Sequence, residues 1–374
     1  MHPFPAVDPI PLPAPIWLFK LLHIVTLALH FVAVEMLLGG LLLAVLLSLF
    51  RGQPQPRMAA RALARRLTVV MTYVINLGVP PLLFAQVLYG RALYTSSVLM
   101  GAYWISIILL LMLAYRLLYS FSRRLEEDRT AWWTGGIAWL LAGFIARLLS
   151  TNMTLMLRPE SWRAMYSASA AGIYLPTGDP TTEPRWLMMM AGGLFIAGLW
   201  LLYLSARSTF AAEDKKYLAG LGGKAAALFG AVYLAAGLWA NSVQPEVVRA
   251  GLHGGTPGYT FYGYYGLAGY GWLALVAVAM VLGLVAGFGR IANNLIAWVG
   301  VLLAVLIELT LVIYRDAVRD LTLLSKGYDV WNRVVVSNWG VIIIFLVLFV
   351  AGLGVIGWLA SVVARAKKEM EGVA

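Results

Sequence analysis

Cysteine is absent from all 374 residues. That excludes disulfides, thiolate-held metals, Fe–S clusters and covalent c-type haem attached through a C-x-x-C-H string. Any haem must be non-covalent and held by His or Met. Charge is scarce too: 12% of the residues are charged and 61% are hydrophobic. No soluble globular domain has that balance, and several apolar runs of membrane-spanning length follow one another. The expected class is an all-α polytopic membrane protein. A net charge of +11 would suggest nucleic acid in a soluble chain. Here most Lys and Arg fall in alternate loops, the positive-inside signature, so the partner is the lipid bilayer and not nucleic acid.

What is present begins with residues 16–50, an almost unbroken apolar run that closes at the charged, proline-bearing RGQPQPR. It is longer than the roughly 20 residues a helix needs to cross a bilayer core. It is also too long for a cleaved signal peptide, and no small-residue cleavage site follows. Residues 1–15 are proline-rich and read as an extended surface arm. Residues 16–365 read as one helical bundle, and residues 366–374 as a basic tail. About nine spans are expected: near 16–50, 67–90, 94–119, 132–150, from 185, 225–241, up to 290, 293–314 and 339–363. A kink is expected at Pro80-Pro81, and a short turn around Arg91. The basic connectors follow the first, third, fifth and seventh spans. They predict an outward N-terminus and a cytoplasmic C-terminus.

Several strings in this order resemble subunit I of the cytochrome bd-type quinol oxidases. They are HFVAVEMLLGGLLLAVL (30–46), INLGVPPLLFAQVLYG (75–90), TNMTLMLRPESW (151–162), RWLMMMAGGLFIAGLWLLYLSAR (185–207), FYGYYGLAGYGW (261–272) and IELTLVIYRDAVRD (307–320). The resemblance implies a multi-pass protein of a bacterial or archaeal cytoplasmic membrane, working in respiratory electron transport, with haem b and a quinone as cofactors. It implies other membrane subunits as partners; c-type cytochromes at the periplasmic face are a further expected partner. Carried over by residue, the family's first-helix haem-ligating histidine falls on His30. The fifth-helix histidine of its low-spin haem falls on Met188, and that haem's methionine on Leu267. The third-helix glutamate of the oxygen-reducing site falls at Ile107, and the last glutamate near Arg315 or Asp316. The long quinol-binding loop and its arginine-glutamine-proline-tryptophan string are missing. The resemblance thus implies the scaffold more than oxygen reduction.

Four features, three within spans and one just beyond the eighth, carry the site expectations. His23 and His30 are seven residues apart, hence on one helix face about two turns apart. They read either as haem neighbours or as hydrogen-bonded packing histidines. Met188 opens a run of three methionines, a thioether ligand in one reading and plastic packing in the other. Glu35 and Glu308 lie within spans, where a carboxylate must be protonated or partnered; a proton path and a pair with Lys20 or Arg147 are both open. Arg315, Asp316, Arg319 and Asp320 suit paired charges on one helix face, with a solvated helix end as the simpler reading. His253 reads as an exposed loop residue, and the tyrosines of 259–270 as an interfacial belt or a docking surface.

Three functions follow. The first is a membrane electron-transfer subunit of a respiratory complex, with haem b at His30 and Met188 as the candidate trans ligand. The second is a haem-free anchor for a periplasmic redox partner. The third, a secondary transporter, calls for inverted repeats and broken helices, and no repeat is visible.

Overall fold

The computed structural model describes residues 10–176, 178–254 and 260–372. Among them the chain is helical throughout. It has α1 (Ile16–Ser48), α2 (Pro54–Leu99), α3 (Gly101–Glu126), α4 (Trp132–Leu155), short α5 (Pro159–Ala168), α6 (Thr182–Ser205) and α7 (Ala212–Ser242). Short α8 (Glu246–Leu252), α9 (Thr260–Gly289), α10 (Asn294–Ser325) and α11 (Trp339–Gly372) complete it. Eight helices are long and apolar enough to span a bilayer, and α11 adds an apolar segment at Trp339–Gly352. This is an all-α polytopic membrane protein. In lipid every backbone N–H and C=O must be satisfied internally, which is why each apolar run folds as a helix.

The helices overrun several of the expected spans: α2 begins at Pro54, α7 at Ala212, and α10 runs on to Ser325 instead of ending near 314. No turn forms at Arg91; α2 runs on to Leu99, and the chain turns at Met100. Pro80 and Pro81 stay inside the helix, while the non-helical backbone lies at Tyr89 (φ −121°, ψ 17°). No glycine or proline follows Gly90 to stop the helix, so the apolar run up to Leu99 continues it.

α1 and α6 form the centre. Their apolar windows are 67% and 72% buried, against 17% for α3, which turns Ile105, Ile108, Leu109 and Met112 outward toward lipid. α1 touches α2, α4, α6 and α10. Small residues permit the closest approach: a Cβ on Gly39 would lie 1.8 Å from the Gly193 carbonyl oxygen of α6. Such glycine contacts let helix backbones meet where hydrophobicity gives no drive between them.

The two ends of the bundle differ in charge. At one end Arg57 and Arg61 both reach Asp128, and Arg65 pairs with Glu126 at 3.0 Å. At the other, Lys326 meets Glu160 at 2.8 Å. There the described part of the N-terminal arm is pinned as well as extended. Leu12 N–H donates to the Val334 carbonyl and Val336 N–H to the Leu12 carbonyl, each at 2.9 Å. Leu12 is buried beside Ile16 and Val330. Residues 1–9 and the last two of the tail lie outside the described residues.

Candidate functional site

The most polar part of the interior is a closed network of α1, α2 and α10. Asp316, Arg319 and Asp320 share a face of α10 by their i, i+3, i+4 spacing, and that face meets Lys20 and His23 of α1. Lys20 Nζ reaches Asp320 Oδ2 at 2.5 Å and Asp316 Oδ2 at 2.9 Å. Arg319 Nη1 lies 3.3 Å from Asp316 Oδ1. Tyr89, at the irregular point of α2, accepts from Lys20 at 2.7 Å, and its hydroxyl is 2.9 Å from both Asp316 and Asp320. Having one proton, it donates to one of them at a time. Trp331 Nε1 donates to Asp320 at 3.1 Å. Two cations face two carboxylates, so the cluster is neutral, and every member is hydrogen-bonded. These α10 charges are therefore not a solvated helix end: Asp316 and Asp320 are each 1% exposed. In an apolar interior such charges persist only when paired and hydrogen-bonded.

His23 belongs to this network. Its Nε2 is 3.0 Å from Arg319 Nη1 and its Nδ1 3.0 Å from the Pro81 carbonyl. Guanidinium nitrogens only donate, so Nε2 accepts and Nδ1–H donates to Pro81. Both ring nitrogens are thereby committed, and no lone pair is left for a metal. His30, two turns on, also faces α2. Its ring lies against Gly78, where an added Cβ would be 2.8 Å from Cε1. Its Nδ1 is buried with no hydrogen-bond partner.

Beside the network opens a cavity of ≈ 440 Å³ between α1, α4, α6, α7 and α10. Met188 and Met189 line it, together with Phe31, Glu35, Glu308 and Arg315; His23 and His30 do not. At its inner end Glu35 and Glu308 are within hydrogen-bond reach of each other, a contact that needs one shared proton. Tyr233 donates to Glu308 Oε1 at 3.2 Å, while one oxygen of each carboxyl is buried without a partner. A Cβ on Gly192 would lie 2.5 Å from Glu35 Oε1, so that glycine makes the room for the carboxyl. The two acids thus pair with each other. Lys20 is taken by the aspartates, and Arg147 pairs with the exposed Glu183 at 2.9 Å.

A haem needs an imidazole, thioether, phenolate or thiolate aimed at open space for the macrocycle. The cavity offers a thioether at Met188 and no imidazole. His30, whose Nδ1 is buried without a hydrogen-bond partner, abuts the α2 backbone and is not in the cavity wall. The described side chains do not set His30 and Met188 across one iron. Ile107 packs among Leu110, Tyr103 and Leu148. The side chain of Leu267 and most of the 259–270 tyrosines lie outside the described residues. His253 is exposed and stacks on Tyr270. No group of three or more His, Asp and Glu that could hold a metal occurs among the described residues.

Tyr89, Trp331, Tyr233 and Arg185 are site residues that the sequence did not mark. The α10 spacing, read with a lysine inside the first apolar run, is the signal that could have exposed the network. Nothing local marks Tyr89 or Tyr233.

No protein-family model and no curated protein sequence matches the chain. Among solved structures, the bd oxidase from Geobacillus thermodenitrificans is similar, with a TM-score of 0.62 at 12% identity over 91% of this chain and 96% of that one.

Proposed function

We propose that this chain is an integral subunit of a respiratory electron-transfer complex in a bacterial or archaeal cytoplasmic membrane, and that it serves there as a haem-free holder of redox partners. The fold shared with a bd oxidase over nearly its whole length supports the respiratory setting. The observation that carries the haem-free role is the closed network. Its histidine is committed at both nitrogens, and its charges are satisfied by one another. The quinone implied by the sequence resemblance is assigned to partner subunits, because the long quinol loop is absent. Oxygen reduction is not assigned, because Ile107 supplies no carboxylate. The arginine-rich end of the bundle is taken as cytoplasmic by the positive-inside rule. The opposite end, where the arm, Glu160 and Lys326 meet, then faces outward and receives a c-type cytochrome or similar carrier.

A second reading keeps a b haem at His30, on the strength of its buried, unpartnered Nδ1. A dithionite-reduced difference spectrum with haem extraction, on wild type and His30→Ala, separates the two. The haem-free reading expects no stoichiometric haem in the purified wild-type chain. A b-type signal that disappears in His30→Ala overturns it and establishes the second.

A further inference from the structure

The cavity holds two guanidiniums without a close ion pair among the described residues: Glu308 attracts Arg315 and Asp179 attracts Arg185, each from beyond ion-pair distance. Arg315 projects from α10 over the ring of Phe31, 4.6 Å from its centroid, and has no hydrogen bond or ion pair among the described residues. Arg185, from the first turn of α6, donates to the Thr154 hydroxyl at 2.8 Å and makes no ion pair there either. The other polar groups along the wall have hydrogen-bond or ion-pair partners. Arg319 is held by Asp316, Lys326 by Glu160, and Asp179 accepts from the Thr181 N–H and hydroxyl. At the far end, Glu35 and Glu308 face each other. Arg315 and Arg185 line the same cavity and repel one another, a repulsion that Glu308 offsets in part. A like-charged pair in a partly apolar cavity is unfavourable until an anion joins it, and the guanidinium fork matches the oxygens of a carboxylate or phosphate.

We propose that this cavity is an oxyanion site in which Arg185 and Arg315 together clamp a carboxylate or phosphate group. Seven residues of α10 separate Arg315 from Glu308, roughly 10 Å along the helix. Phe31, Val34, Met188 and Leu311 line the cavity as well. A ligand with an anionic head and a short apolar body fits that layout; a free small oxyanion satisfies the clamp alone. The site stands on the arginines and the cavity and is independent of whether the chain carries haem.

The test is thermal unfolding of the purified, delipidated protein in a neutral detergent, titrated with inorganic phosphate or with phosphatidylglycerol, and with phosphatidylcholine as the uncharged-headgroup control. A saturable rise in melting temperature is expected with an anionic probe. Arg315→Gln and Arg185→Gln should each weaken the apparent affinity at least tenfold, while Arg147→Gln, outside the cavity, keeps it. Stabilisation by phosphate identifies a free anion, and stabilisation by phosphatidylglycerol alone identifies a lipid headgroup. Without ligand, Arg315→Gln should melt no lower than wild type, because it removes an unpaired guanidinium; a merely structural arginine would give a lower melting point. The proposal is overturned if neither anionic probe stabilises the protein. Equal stabilisation by phosphatidylcholine, or a full response retained in both Gln variants, overturns it as well.

Discussion

α1 and α10 meet at two depths. Near the start of α1, Lys20 meets Asp316 and Asp320; fifteen residues further along α1, Glu35 meets Glu308. The first meeting joins opposite charges, adds Tyr89, Arg319, His23 and Trp331, and leaves no member without a partner. The second joins two like groups beside a cavity, and each carboxyl keeps an oxygen with nothing to bond. Buried polar groups that satisfy one another fix an arrangement, whereas unsatisfied ones mark where something is bound or moved. The same pair of helices thus supplies a rigid lock and an open site.

The sharpest way to break this contrast is at Lys20. Lys20→Met leaves two buried carboxylates facing one arginine. Breaking a buried ion pair from one side costs about 3–5 kcal/mol, so the purified variant should show a large fall in melting temperature or fail to accumulate. Adding Asp316→Asn and Asp320→Asn to Lys20→Met should recover part of the loss. An unchanged melt of the single variant would mean that the network is not a lock.

A smaller effect is expected at the glycine seam between α1 and α6. Gly39→Leu forces α1 away from α6 where the backbones touch, and overpacking of this kind costs about 1–3 kcal/mol. The loss should appear as reduced detergent stability. An unchanged melting profile would show that the seam yields without cost.

The smallest effect belongs to the open site. In Glu308→Gln the amide oxygen still accepts from Tyr233, and the replaced oxygen had no partner to lose. The change in stability should stay within about 1 kcal/mol. A loss comparable to that of Lys20→Met would show that the carboxyl pair is as structural as the network and would erase the contrast.

The sequence carried the spans well, because apolar runs bounded by arginines are local signals. It showed Glu35, Glu308 and Lys20 as polar groups out of place, and it read the α10 charges as a solvated helix end. It did not show how they pair, since Lys20 and Asp316 are 296 residues apart and only the packed bundle brings them together. Arg147 drew attention by its place within an apolar run, yet it reaches the exposed Glu183 at the surface. Tyr89 was invisible because a tyrosine near the end of a span reads as an interfacial residue. The end of α2 was misplaced for a related reason: Gly90-Arg91 looks like a turn, and only the continuing helix shows otherwise.

The long reach of the Lys20 contact has a consequence for how the protein is made. Synthesis runs from the N-terminus at about 5–20 residues per second, so the aspartates follow Lys20 out of the ribosome by roughly 15–60 s. During that interval α1 is already in the membrane with a cation and no counter-charge. Lys20 is only the fifth residue of α1, so its side chain can extend to the headgroup layer and wait there in water. Arrival of α10 then draws the ammonium inward. The strand-like clasp of Leu12 with Val335 can close only afterwards, so a segment made before α1 is among the last to be fastened.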